Sequence, residues 1–271
     1  MVELNKIYNE NNCETMSRMP DNFIDLTVTS PPYDNLRLYG GYEWDFERVA
    51  KELFRVTKPG GVVVWVVGDA TTNGSETLTS FKQAIYFREN CGFNLHDTMI
   101  YWTSKPPLTH NRYEQEFEYM FVISKGKPKT FNPLKELKLW QDNRKTKSVR
   151  REKDGTYDQG FVSEQIDKIR GNVWFINSGG GISAKDDIAF EHPAIFPEQL
   201  AQDHILSWSN EREIVYDPFM GSGTTAKMCI KTNRNYIGSE LSKKYCEIAE
   251  KRLKPYKNSI DMFYEQTKNQ E

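Results

Sequence analysis

Two short stretches and one acid of this 271-residue chain have residue types and spacings that could carry chemistry. Asp217-Pro218-Phe219-Met220-Gly221-Ser222-Gly223-Thr224-Thr225 follows the apolar run Ile214-Val215-Tyr216 and precedes Ala226-Lys227-Met228-Cys229-Ile230, so it reads as strand, glycine turn and helix start. Glycines in such a turn let the backbone approach a ligand, because no Cβ intervenes. The free N–H groups of the helix that follows favour an anionic group. No third glycine completes the dinucleotide fingerprint, which argues against NAD. Seventeen residues after Gly223, a second apolar run ends in the acid Glu240. An acid at the tip of the next strand is placed to accept hydrogen bonds from ribose hydroxyls. Loop and acid together predict a cofactor that carries a ribose.

The other stretch is Ser30-Pro31-Pro32-Tyr33-Asp34, which directly follows the strand-like run 23–29. Two prolines end the hydrogen-bonded ladder and fix an extended turn. A loop breaker is the bland reading. Yet the turn stands at the carboxyl end of a buried strand, where α/β folds place their ligands. A stiff turn, a hydroxyl and an aromatic ring suit the grip of a flat polar ring.

The elements that must position these residues follow from patterning. Asp45 is expected to cap a helix with Phe46, Val49, Ala50, Leu53 and Phe54 on its apolar face. Lys58-Pro59-Gly60-Gly61 reads as a turn, and 62–67 as a continuous apolar strand of the parallel-sheet type. Asp69 after it is either a structural turn acid or a wall of the site. Residues 79–90 read as a helix, 95–101 and 117–123 as strands, and 105–116 as a loop. His192 to Leu200 opens a helix that runs through Trp208, with Pro197 near its first turn; His192 reads as structural. Residues 242–253 form a last helix with Tyr245, Ile248, Ala249 and Leu253 on one face.

Composition bounds the partners. A formal net charge of −2 and 38% hydrophobic residues fit an ordinary globular domain with a smaller insert. There is no secretory h-region or apolar run of membrane-spanning length, so no membrane role is expected. Four cysteines lack metal-ligand spacing, so no metal site and reduced thiols in a cytoplasmic protein are the plain reading. Any nucleic-acid site must be a local patch. Such a patch exists: Arg144, Lys145, Lys147, Arg150, Arg151 and Lys153 crowd together in a stretch with Trp140, Tyr157, Phe161 and Trp174. The bland reading of a charge run is solvated surface; contact with phosphates is the functional one. Gly179-Gly180-Gly181 would be a flexible joint back to the main domain.

With these residues in view, the chain resembles the amino-directed DNA methyltransferases that use S-adenosylmethionine. Ser30-Pro31-Pro32-Tyr33 matches the family's catalytic tetrapeptide, Asp217 to Thr225 its cofactor loop and Glu240 its ribose acid. His192 to Leu200 resembles the segment that packs beside the cofactor. Catalytic motif first, basic insert next and cofactor loop last is the order of the family's β group. The resemblance covers nearly all of 1–255. It implies an α/β fold, a circularly permuted Rossmann-like sheet with helices on both faces and a basic target-recognition insert. The expected parts are a catalytic half over 1–124, a target-recognition region over 125–190 and a cofactor-binding half over 191–271. The implied cofactor site is Asp217, Pro218, Phe219, Gly221, Ser222, Gly223, Thr224, Thr225 and Glu240. Double-stranded DNA is the implied partner, met by Arg144, Lys145, Lys147, Arg150 and Arg151. A homodimer and a cognate restriction nuclease are left open by the sequence.

The chemistry agrees with the resemblance. An exocyclic amino group is a poor nucleophile, because its lone pair is delocalised into the ring. Two acceptors on its N–H groups, the Ser30 side chain and the Pro31 carbonyl, would draw that pair out of conjugation while Tyr33 stacks on the ring. Positioning and electrostatics then carry an in-line methyl transfer. Attack through carbon 5 of cytosine would need a thiolate, and no cysteine here follows a proline. The target base must flip out of the duplex, at a cost of roughly a few kcal/mol. A leading Ser in the tetrapeptide favours N4 of cytosine, with N6 of adenine as the alternative. Methylation of RNA, protein or a small molecule, and a non-catalytic DNA-binding module, are the competing classes.

Overall fold

The computed structural model describes residues 1–32, 44–103, 113–137, 148–160, 167–177, 179, 181–192 and 194–268. It divides into two compact units, Met1–Asn132 with Asn172–Glu271, and Pro133–Gly171. The larger unit is built on an eight-stranded sheet. Its strands are β1 (Lys6–Tyr8), β2 (Ile24–Thr29), β3 (Thr57–Val67), β4 (Asn94–Trp102), β5 (Phe117–Ser124), β6 (Val173–Phe175), β7 (Ile214–Asp217) and β8 (Asn235–Ser239). Their order across the sheet is β1-β8-β7-β2-β3-β5-β4-β6. The first five in that order are parallel, β5 is antiparallel to both neighbours, and β6 is parallel to β4. The strand before the glycine loop thus comes late in the chain but lies beside β2, which carries Ser30-Pro31-Pro32.

Strand β3 explains its own sequence. Val63, Trp65 and Val67 face a core with α1 (Asn12–Ser17), α2 (Phe46–Val56) and α3 (Thr79–Tyr86). The intervening Val62, Val64 and Val66 are equally buried on the other face. There Met120 of β5, paired with Val66, meets His204 of α4 (Glu198–Trp208) at 3.2 Å. Helices on both faces require an unbroken apolar run, which is what 62–67 supplies. The neighbours are parallel on one side and antiparallel on the other. Helices α5 (Thr224–Lys231) and α6 (Lys243–Lys268) complete the α4 side.

The details follow local chemistry. The Asp45 carboxylate accepts from Arg48 N at 3.0 Å and caps α2, whose Val49, Ala50 and Leu53 are buried. Lys58-Pro59-Gly60-Gly61, expected as a free turn, instead lies inside β3 as a bulge, since Ile24 pairs with Thr57 but Leu26 with Val62. Gly60 has φ +83°, and a Cβ on Gly61 would sit 2.9 Å from the Asp25 carbonyl, so the bulge needs glycine at both positions. The helix expected over 79–90 changes to a wider π-type turn at Phe87–Cys91. Helix α6 passes through Pro255 rather than stopping near Leu253. Trp174 belongs to the larger unit, buried and stacked on His204 with ring centres 4.5 Å apart.

Among its described residues the smaller unit holds two strand pairs. Ser148–Arg151 pairs with Tyr157–Gly160, closed by a turn in which Asp154 accepts from Thr156. Lys135–Leu137 pairs with Asp167–Ile169, with Lys135–Asp167 and Lys168–Glu136 ion pairs at 3.0 Å each.

Candidate active site

The glycine loop is held from below by Asp217 at the end of β7. Its buried carboxylate accepts from Thr29 Oγ1 and Thr225 Oγ1 at 2.7 Å each, and from Phe219 N at 3.0 Å. One acid therefore joins the end of β2, the loop and the start of α5. Burial pushes its carboxyl up, and the three donors oppose that shift. Gly221 and Gly223 adopt φ +51° and +82°, a region that L side chains rarely enter. Gly223 caps α5, and a Cβ on it would lie 3.0 Å from Ala249 Cβ in α6. A Cβ on Gly238 of β8 would meet Met220 Cε at 2.4 Å, so a side chain there would displace Met220 in the loop above.

Glu240 follows β8 and is tied to the same loop. Its carboxylate accepts from Gly221 N at 2.9 Å and Ser242 N at 2.8 Å. Burial raises its pKa above the ordinary glutamate value, against the pull of those backbone donors. The acid is thereby fixed at the mouth of the loop, with lone pairs left for a further donor. Asn9 supports it, donating to the carbonyls of Glu240 and Leu241 at 2.9 Å each.

Ser30, Pro31 and Pro32 open on the same space as the glycine loop. A cavity of about 850 Å³ is lined by these three, by Asp217 to Ser222, by Thr224 and Thr225, and by Glu240. It follows the carboxyl ends of the parallel strands, from Glu240 after β8, past the loop after β7 and Ser30 after β2, to Asp69 after β3. The wall beyond consists of Thr103, Gln115 and Glu118 around β4 and β5. Trp44 lines the same cavity beside the glycine loop, its ring 5.0 Å from that of Phe219. Gly223 is the one expected cofactor residue that does not line this cavity; it lies under the loop, against Ala249. Tyr33, the fourth residue of the tetrapeptide, lies outside the described residues.

Two open readings resolve. Asp69 serves both roles: it accepts from Ser80 N at 2.9 Å at the start of α3 and also lines the cavity. His192 is positioned as a structural residue would be. Its Nδ1 accepts from Ala194 N at 3.1 Å, and its ring packs edge-on against Tyr245 at 4.2 Å. It nevertheless borders the cavity, as do Ala194 to Pro197.

Sequence reading missed two supports. Glu10, Asn11 and Asn12, after β1, form the end wall near Glu240, and Asn12 Nδ2 donates to Pro218 O at 3.2 Å. The asparagine-rich run between a strand and a helix was the signal. The second is a buried charge cluster of Lys227, Arg252, Asp186 and Glu198 behind the loop. Its signal was two cations on otherwise apolar helix faces. None of the four cysteines, all free, lines the cavity. Among the described residues no cluster of His, Cys, Asp or Glu is placed to hold a metal, and no helix is long and apolar enough to cross a membrane.

The basic residues are a different case. Arg144, Lys145 and Lys147 lie outside the described residues. The backbone of Arg150 and Arg151 lies in the strand pair of the smaller unit, with Arg151 exposed. Residues 133–171 carry ten Lys and Arg against seven Asp and Glu, whereas the whole chain carries 36 against 38.

A mixed α/β sheet with a glycine loop, an acid at the next strand tip and a Ser-Pro-Pro turn lining one cavity fits the class of transferases that use a nucleoside cofactor. The chain belongs to the DNA methylase family, whose model matches residues 24–251. It is an S-adenosylmethionine-dependent DNA amino-methyltransferase of the β group. It is 59% identical over 240 residues to the orphan methyltransferase M.BamHII of Bacillus amyloliquefaciens, covering 86% of this chain and 89% of that one. It is 27% identical to the type II methyltransferase M.BglII of Bacillus subtilis, covering 91% and 68%. Among solved structures, the PvuII DNA methyltransferase (cytosine-N4-specific) matches with TM-score 0.68 and 21% identity, over 90% of this chain and 84% of that one. A DNA modification methylase of Thermus thermophilus, solved with S-adenosyl-L-methionine, matches with TM-score 0.64 and 23% identity, over 93% of each.

Proposed function

We propose that this enzyme methylates N4 of cytosine in double-stranded DNA, on a base flipped out of the helix. The observation that carries the reading is the single cavity bordered by both Ser30-Pro31-Pro32 and the glycine loop. The residues on the glycine-loop side of the cavity fit S-adenosylmethionine. Glu240 would accept from the ribose hydroxyls, and the backbone of Gly221, which lines the cavity at φ +51°, would approach the ligand with no Cβ in the way. Bound there, the cofactor supplies an activated methyl group. Ser30 Oγ and the Pro31 carbonyl accept the two N–H groups of the amine, which localises the nitrogen lone pair. Tyr33 holds the ring by stacking. Pro31 and Pro32 keep the acceptors fixed, so little reorganisation is needed when charge shifts.

The leading Ser30 supports cytosine. The order of strands, with the glycine loop late in the chain and central in the sheet, supports a circular permutation of the Rossmann-like arrangement. The positive balance of 133–171 supports that unit as the part of the target-recognition region that meets phosphates and base edges. The term orphan in the name of the 59%-identical relative supports action without a cognate nuclease. A DNA substrate and four free cysteines support a cytoplasmic setting. The test is mass spectrometry of nucleosides from duplex DNA treated with enzyme and cofactor. N4-methylcytosine is the expected product. N6-methyladenine would overturn the base assignment, and 5-methylcytosine the mechanism.

A further inference from the structure

We infer that Arg252 is a positioning residue for the cofactor, through a buried clamp on the back of the glycine loop. This rests on the reading that the loop holds S-adenosylmethionine. Arg252 lies on α6 with a fully buried side chain. Its Nη1 donates to Thr224 Oγ1 at 2.8 Å and to the Ser222 carbonyl at 3.1 Å. Its Nη2 donates to Glu198 Oε1 of α4 at 2.6 Å, and its Nε lies 2.7 Å from Asp186. Lys227 of α5 reaches the same two acids, Glu198 at 2.6 Å. Two cations and two anions thus neutralise one another behind the loop and connect α4, α5 and α6. Burial would raise the Asp186 carboxyl, but Lys227 and Arg252 outweigh it and hold it down.

The cluster is more than neutral filling, because Arg252 alone of the four spends side-chain donors on the loop. One turn back on α6, Ala249 supports Gly223, and Tyr245 lines the cavity. This helix face therefore sets loop position twice, by a small side chain that admits the glycine and by a guanidinium that holds the carbonyl before it and the hydroxyl after it. A planar fork with five N–H donors can serve both acids and both loop oxygens, which a single ammonium cannot.

The test compares Arg252→Met, Arg252→Lys and the double variant Arg252→Met/Glu198→Met in the full-length enzyme. Calorimetry gives S-adenosylmethionine affinity, thermal melting gives stability, and kinetics give KM and kcat. Arg252→Met leaves Glu198 under-compensated, so both stability and affinity should fall. The double variant removes one charge of each sign, and balanced apolar replacement of a buried pair is often neutral or stabilising. It is expected to recover most of the lost melting temperature yet bind cofactor tenfold or more weakly, with KM raised and kcat at saturation changed less than threefold. Arg252→Lys keeps the charge and should fold, with affinity reduced threefold or more. Wild-type affinity in the folded double variant, or in Arg252→Lys should the double variant not fold, would overturn the clamp. Gly223→Asp serves as the separate control. If it too leaves affinity unchanged, the loop assignment itself has failed; if it abolishes binding while the Arg252 variants do not weaken it, only the clamp has.

Discussion

Residues 133–171 and 214–252 are stretches of equal length with opposite construction. In the second, Val215, Tyr216, Ala226, Met228, Cys229, Tyr236, Ile237, Ala249 and Arg252 are all essentially inaccessible. Gly221 and Gly223 take φ +51° and +82°, where L side chains are strained, and Lys227 and Arg252 pair with Asp186 and Glu198 in the interior. In the first, Leu137, Tyr157 and Ile169 are each more than half exposed, and ion pairs run across the surface of two-stranded ladders. Two-stranded pairs are marginal in water and need another surface to gain independent stability. The chemical end of this enzyme is thus preorganised by packing, as electrostatic catalysis requires. Among its described residues the basic unit leaves Tyr157 and the ion pairs exposed, and it is the unit proposed to meet DNA. Substitutions in 214–252 should therefore act through fold and cofactor, and those in 133–171 through DNA.

The largest expected effect comes from Tyr33→Ala, which should abolish turnover with cofactor affinity unchanged; normal turnover would exclude the stacking role. Gly223→Asp comes next. It puts a side chain at φ +82° and 3.0 Å from Ala249 beneath the loop, so the loop must shift and binding should be lost in a calorimetric titration. A protein that still bound would break the contrast drawn above. Third, replacing Arg150 and Arg151 with Gln should weaken DNA binding and reduce the slope of log K against log salt by about 2. Their melting temperature should stay at the wild-type value, and an unchanged slope would mark the run as mere surface.

A pH effect of intermediate size sharpens the cofactor half. Burial raises Glu240 above its ordinary pKa, so just above that ordinary value the folded state binds more protons than the unfolded chain, and this residue's contribution to stability declines as pH rises. Cofactor affinity should run the other way, because ribose hydroxyls donate to the ionised form. Affinity is expected to fall as pH drops toward the carboxylate range, and Glu240→Gln should flatten the profile. The smallest effect closes the comparison. Met228→Ala in α5 should cost about 2–5 kcal/mol, whereas Ile169→Ser should stay within about 0.5 kcal/mol, both read from chemical denaturation.

The motifs were legible because their chemistry is local. A strand, glycines in a turn and an acid at the next strand tip occupy neighbouring positions in the chain, and so do Ser30, Pro31 and Pro32. The cap and apolar face of α2, and the start of α4 beside Pro197, were legible for the same reason. What escaped depends on distant pairings. The bulge at Gly60-Gly61 exists because β2 runs past it, and Lys-Pro-Gly-Gly by itself reads as a turn. Arg252 is an ordinary helix cation until Glu198, Asp186 and the loop oxygens come together around it from three other segments. The role of Asn9 likewise needs β1 to lie beside β8.

A structure of the enzyme with S-adenosylhomocysteine tests the central claim most directly. The ribose hydroxyls should lie within hydrogen-bond reach of Glu240, with the sulfur turned toward Ser30 and Pro31 across the same cavity. A ligand bound away from Glu240, or with its sulfur facing away from the Ser-Pro-Pro turn, would contradict the account.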